Sequence, residues 1–164
     1  MKLRGKIYFS HGQRNSKGVM ILINSNFDPN VQIVQIDTQG RWIILNMVLD
    51  HKQIWLINLY GPNNDDPHFF ENIYNKLSTL QAIKDSIIMV GYYNTVLNSS
   101  MDRKGNHTTN NHPHALKEIV NVMDTLELVD IWRLKYADLV RYTWRRLNQA
   151  SRLDFFLMSI NYSY

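Results

Sequence analysis

Four short polar clusters interrupt otherwise apolar stretches of this 164-residue chain: Tyr60-Gly61-Pro62-Asn63, Tyr92-Tyr93-Asn94, Tyr142-Thr143 and Asp154. Hydroxyl and amide groups of this kind can hold a phosphodiester in place without supplying a metal. Tyrosines at strand ends also serve as amphipathic fillers, so both readings stand at this point. Asp154 sits inside the apolar run RLDFFL. A carboxylate left buried and unpaired there would cost several kcal/mol. It must therefore point outward, pair with Arg152 or Arg145, or face a polar cleft.

Other chemistries find little support. A hard cation such as Mg²⁺ needs carboxylate oxygens on rigid elements. The three glutamates, Glu71, Glu118 and Glu127, fall on predicted helices and not at strand ends. His107, His112 and His114 lie close together in NHTTNNHPHA, but their spacing matches no zinc or copper pattern, and a solvated loop leading into a helix accounts for them. The spacing alone therefore designates no metal ligand. With no cysteine there is no thiol nucleophile, disulfide or thiolate site. No serine sits in a G-x-S-x-G elbow, and the scattered glycines form neither a P-loop nor a dinucleotide fingerprint.

The elements that must position these clusters can be read from the pattern. GVMILIN (18–24) is a near-continuous apolar run, expected to be a strand buried on both faces. VQIVQID (31–37), WIILNMVL (42–49) and QIWLINLY (53–60) follow with short links, which predicts a meander of consecutive antiparallel strands. Asp66-Pro67 opens a helix whose apolar face is Phe70, Ile73, Leu77 and Leu80. IIMV (87–90) reads as a short buried strand. Pro113 opens a second helix lined by Leu116, Ile119, Val120, Met123 and Leu126. Two strands, 142–145 and 152–159, are joined through Asn148-Gln149, and the loop at 98–112 reads as long and mobile. No repeat or linker divides the chain, so a single α/β domain over 1–164 is expected.

Composition bounds the rest. Hydrophobic residues make up 45% and charged residues 20%, the balance of an ordinary globular protein. No apolar run approaches the ~20 residues needed to cross a bilayer, and the basic start MKLRGKIYFSHGQ lacks a signal-peptide core. These features suggest an intracellular protein, nuclear or cytoplasmic, neither secreted nor membrane-bound, and no feature points to a protein partner. The net charge of +4 is unevenly spread. Lys2, Arg4, Lys6, Arg14 and Lys17 crowd one end, Arg133, Lys135, Arg141, Arg145, Arg146 and Arg152 the other, with an acidic balance between. Two basic ends suit a polyanion-facing surface if the fold brings them together; otherwise they are two solvated faces.

SHGQRNSKGVMILI, INLYGPNNDDPHFF, IIMVGYYNTVLN, LVDIWR, RYTW and SRLDFFLMS, in this order and spacing, resemble the endonuclease domain of LINE-type non-LTR retrotransposons. That domain is part of the endonuclease/exonuclease/phosphatase superfamily, with deoxyribonuclease I and the abasic-site endonucleases. The resemblance covers nearly the whole chain. It implies a four-layer α/β sandwich of two mainly antiparallel sheets flanked by helices, Mg²⁺ as cofactor, and cleavage of DNA. By position, Tyr60 matches a tyrosine that contacts the scissile phosphate. Asn94 matches the asparagine of a Gly-Asp-Phe-Asn motif, which orients that phosphate or the attacking water. Thr143 matches a threonine near the substrate, with Arg145 beside it, and Asp154 the aspartate that steadies a catalytic histidine.

The chain departs from that pattern at Tyr92, where the family carries the aspartate that helps activate water. A tyrosine, with a reference pKa near ~10, is neutral at pH 7 and cannot act as that base. The family's glutamate-bearing strand and closing Ser-Asp-His segment have no counterpart in these residues, so the sandwich is expected to be partial at both ends. The expectation is a retrotransposon-derived, Mg²⁺-dependent DNA endonuclease-like domain with impaired catalysis. The alternatives are a non-cleaving nucleic-acid-binding remnant and a decayed gene product without a selected role.

Overall fold

The computed structural model describes residues 4–12, 17–27, 30–105 and 112–160. Strand β1 (Gly5–His11) pairs antiparallel with β2 (Gly18–Asn24) as a separate two-stranded sheet. Next come β3 (Asn30–Ile36), β4 (Trp42–Leu49) and β5 (Lys52–Tyr60), the antiparallel meander that the sequence predicts. Helix α1 (Pro67–Thr79) carries the chain back to β6 (Ser86–Tyr92), which lies parallel to β5, as a helical crossover requires. The remaining elements are β7 (Arg103–Lys104), α2 (Pro113–Thr125), β8 (Leu128–Asp130), α3 (Ile131–Lys135), β9 (Trp144–Arg146), β10 (Gln149–Ser151) and β11 (Asp154–Ser159). The six-stranded central sheet has the order β3-β4-β5-β6-β11-β8, and β7-β10-β9 form a small third sheet. The fold is thus a mixed α/β arrangement of sheets and packed helices.

Strand alternation determines what covers each face of the central sheet. Trp42 and Ile44 of β4, Ile57 and Leu59 of β5, and Met89 of β6 point to one side, where Phe70, Ile73 and Leu77 of α1 and Ile119 and Val122 of α2 pack on them. Ile43 and Leu45 point to the other side and meet Val19 and Ile23 of the hairpin. The run WIILNMVL is apolar except for Asn46 because Trp42–Met47 of β4 is covered on both faces. Asp66 caps α1 by accepting the His68 backbone N–H at 3.1 Å, ahead of Pro67.

Several expectations change. GVMILIN is buried on one face only: Val19 and Ile23 pack inward, while Met20 and Leu22 are exposed. It pairs with β1, a strand that the basic opening residues concealed, and so lies outside the meander. On α2 the core residues are Ala115, Ile119 and Val122, and Val120 is exposed. The helix is rotated so that its small Ala115 meets the core. Part of the expected mobile loop is pinned, since Asp102 within it is fully buried. Residues 106–111, with His107, lie outside the described residues, as do Lys2 and Arg14. Among the described residues no helix is long and apolar enough to cross a membrane.

Candidate functional site

The ends of β5, β6 and β11 lie side by side, and three of the expected site residues form one row across them. Parallel pairing puts Tyr60 beside Tyr92, and antiparallel pairing puts Tyr92 beside Asp154. Residues directly opposite one another share a sheet face, so all three project to the side of the sheet that carries the hairpin. The Tyr60 and Tyr92 rings are stacked, with centroids 5.5 Å apart and planes inclined by 18°. On the β4 side, the Arg41 guanidinium lies 6.0 Å from the Tyr60 ring centre.

Two glycines make this arrangement possible. Gly91 has φ +137°, and a Cβ there would stand 2.0 Å from the Leu59 carbonyl oxygen. A Cβ on Gly61 would meet the Tyr93 carbonyl oxygen at 2.5 Å, where the Gly61 N–H donates to the Tyr92 carbonyl at 2.6 Å. The strand ends are thereby drawn together. Asn94 follows in the left-handed region at φ 58°, which asparagine tolerates better than most residues.

Tyr92 and Tyr93 have different roles. Tyr93 is a core residue, 1% exposed, stacked on Phe70 at 6.0 Å and edge-on to Phe155, with its hydroxyl donating to the Met89 carbonyl at 3.1 Å. Burial pushes its pKa well above 10. Tyr92 is half-buried and faces an open cleft. Burial first, then the neighbouring Tyr60 and Asp154, raise its pKa too, so it stays a neutral phenol at pH 7.

The cleft, about 350 Å³, is lined by Tyr60, Asn63, Tyr92 and Asn94 and by Arg103, His112, Trp144, Gln149, Ser151 and Leu153. None of these lining residues carries a carboxylate. Asn94 donates both amide hydrogens within the protein, to the Pro62 carbonyl at 2.9 Å and to Asn63 Oδ1 at 2.6 Å. Its own Oδ1 is left as an acceptor, and the Asn63 amide nitrogen as a donor. His112 Nδ1 lies 2.9 Å from the Asn94 carbonyl.

Asp154 is exposed and makes no ion pair among the described residues, so it takes the outward option beside the Tyr92 ring. Arg152 pairs elsewhere. Thr143 stands behind the site: its Oγ1 accepts the backbone N–H groups of Leu153 at 3.0 Å and Asp154 at 3.3 Å, fixing the start of β11. Arg145 is exposed, 5.4 Å from the Tyr142 ring centre, and does not line the cleft.

Behind the cleft lies a buried ion network. Arg152, 3% exposed, makes a bidentate pair with the fully buried Asp102 (2.8 and 3.0 Å) and reaches Asp130 at 2.5 Å. Arg133 adds a third bond to Asp102 at 2.7 Å. Burial would lower the Arg152 pKa, but the hydrogen bonds it donates to Asp102 and Asp130 more than offset it, and the side chain remains charged. The Arg152 backbone N–H also donates to the Asp102 carbonyl at 2.8 Å, so the network fixes the chain two residues from Asp154.

The donor set of the cleft does not fit a hard divalent cation. Phenols and amides are poor substitutes for carboxylates around Mg²⁺, and no group of three or more acidic, His or Cys side chains converges among the described residues. His114 is bound to Asp65 at 2.6 Å, away from His112, so these two histidines do not form a joint site. Pattern reading missed Arg103, His112, Trp144 and Gln149 as cleft residues, because they reach it from elements far apart in sequence. The one available signal was Trp144 directly after Tyr142-Thr143.

The fold defined by this sheet, its crossover helix and the cleft at the strand ends is that of the AP endonucleases. It aligns with the crystal structure of AP endonuclease LMAP from Leishmania major with a TM-score of 0.77 at 17% identity, over 96% of this chain and 62% of that one. It also aligns with the endonuclease domain of TRAS1, a telomere-specific non-LTR retrotransposon, with a TM-score of 0.64 at 14% identity, over 95% of this chain and 67% of that one. In sequence the chain is 25% identical over 160 residues, 94% of its length, to the Xenopus laevis transposon TX1 uncharacterized 149 kDa protein, of which it spans 12%. No family model matches the chain. These likenesses agree with the resemblance carried by the ordered motifs: the chain has an endonuclease/exonuclease/phosphatase-type fold, and its sequence is similar to part of a transposon protein.

Proposed function

We propose that this chain is a retrotransposon-derived endonuclease-like domain that binds nucleic acid but has lost effective hydrolysis of the phosphodiester. The observation that carries this reading is the Tyr92 ring, stacked on Tyr60 at the centre of the row where the resemblance calls for an aspartate. A neutral phenol with a raised pKa cannot take a proton from water at pH 7. Loss of a general base alone costs about 10²–10⁴ in rate. The Asn94 amide, expected to orient a phosphate, is committed to Pro62 and Asn63. Asp154 stands exposed, and no described histidine is hydrogen-bonded to it. Mg²⁺, which the resemblance brings with it, finds no carboxylate among the residues lining the cleft.

Binding can outlast cleavage because it depends on different groups. Arg103 lines the cleft together with amide and hydroxyl groups, and Arg41 stands over the Tyr60 ring beside it. Phosphate contacts of this kind give affinity without catalysis. The test is nicking of supercoiled DNA with Mg²⁺ or Mn²⁺, alongside DNA binding over a salt series. We expect no metal-dependent nicking above a protein-free control, and affinity that falls steeply as salt rises. Tyr92→Asp alone should not restore nicking, since the other catalytic groups stay as they are. Metal-dependent nicking that disappears in Asn94→Ala would overturn the reading of lost hydrolysis, and absence of binding at low salt would overturn that of nucleic-acid binding.

A further inference from the structure

The slot between Tyr92 and Trp144 has a chemistry of its own. Arg41 just ahead of β4, Tyr60 of β5 and Tyr92 of β6 form a row in which the guanidinium lies over the Tyr60 ring and that ring stacks on Tyr92, its last member. Among the described residues, no further ring or cation covers the second face of Tyr92, and the Trp144 indole has no ring or cation partner. Both rings line the same cleft, which falls within the ~300–1,000 Å³ range of small-ligand pockets. Beside them stand the acceptor Asn94 Oδ1 and the donor nitrogen of Asn63, which the Asn94–Asn63 bond holds in fixed orientation. A planar group whose edge offers both a donor and an acceptor matches this combination, as a nucleobase does.

From this geometry we infer that the cleft takes a single unpaired nucleobase of a nucleic-acid strand, stacked on Tyr92, with its edge read by Asn63 and Asn94. The inference rests on the nucleic-acid-binding reading above and specifies what occupies the site. A stacked base needs no metal and no carboxylate, so the same ring that removes the hydrolytic base supplies the platform. Every base has a π-face, and such stacking tolerates sequence change. Duplex DNA, whose bases are already stacked, should gain nothing from the slot.

The experiment compares three fluorescein-labelled ligands by anisotropy: a single-stranded oligodeoxyadenylate, an abasic sugar-phosphate strand of equal length, and a duplex. The base-bearing strand should bind about tenfold tighter than the abasic one, the size of one stacking contact. Tyr92→Phe should keep that ratio. Tyr92→Leu should reduce it towards one, and Trp144→Leu serves as a second probe if the first variant fails to fold. Displacement of the strand by free deoxyadenosine monophosphate, but not by equal inorganic phosphate, would support a slot for the base itself. Equal affinity for the base-bearing and abasic strands, or displacement by phosphate alone, would overturn the inference yet leave nucleic-acid binding intact. Failure of all three ligands to bind at low salt would overturn both.

Discussion

The cleft and the ion network behind it lie within a few residues of each other along β10 and β11, yet they treat charge in opposite ways. The network concentrates Asp102 and Asp130 against Arg152 and Arg133, with each bond between 2.5 and 3.0 Å. The cleft has no lining carboxylate, and aromatic rings and amides fill its centre. A buried carboxylate without its partner is expensive, and the converse holds for the arginine. The network therefore cannot lose a member without cost to folding. An aspartate at a solvent-facing strand end does not bear on stability in that way, and replacing it by a tyrosine gains a ring contact. The contrast indicates that a strand end facing the cleft can change its side chain at little cost to the architecture, whereas the network cannot.

That contrast can be broken most directly in the network. Asp102→Ala leaves Arg152 buried without its bidentate partner and should cost about 3–5 kcal/mol in a urea or guanidinium titration. A cost below about 1 kcal/mol would mean that the network does not hold this region, and the comparison would fail. The two adjacent tyrosines sharpen it on a smaller scale. Tyr93→Phe removes a buried hydroxyl's bond to Met89 and should cost about 0.5–1.5 kcal/mol. Tyr92→Phe removes a hydroxyl from an open cleft and should stay within about 0.5 kcal/mol. Equal effects would erase the distinction between core and site.

The smallest effect concerns a carboxylate outside both regions. Asp65 accepts the backbone N–H groups of Ala115 and His114 and contacts the His114 ring, tying the start of α2 to the segment before α1. Burial opposes its charged form, but these bonds outweigh it and hold its pKa below 3.8. Because the folded-state value is the lower one, its contribution is present above pH 3.8 and is lost as the pH falls through the depressed value. Asp65→Asn should lessen this part of the acid sensitivity in a pH series of thermal melts, and an unchanged acid limb would show that the bonds carry no net stabilisation.

Much of this protein is legible in its residues alone. The strands 31–37, 42–49 and 53–60, the helix start at Asp66-Pro67 and the face Phe70, Ile73 and Leu77 follow from local rules: alternation, capping and helical spacing act between near neighbours. The ordered motifs led to the fold and to Tyr60, Tyr92 and Asn94 for a similar reason, since each lies at the end of a recognisable strand. Only the tertiary structure decided what required long-range pairing. It assigned 18–24 to a separate hairpin, made Tyr93 core and Tyr92 cleft, and took Arg152 from Asp154 to give it to Asp102, 50 residues away. It also brought Arg103, His112 and Trp144 into the cleft that the tyrosines line. Partners so distant in sequence are chosen by sheet register and burial, which no local pattern encodes.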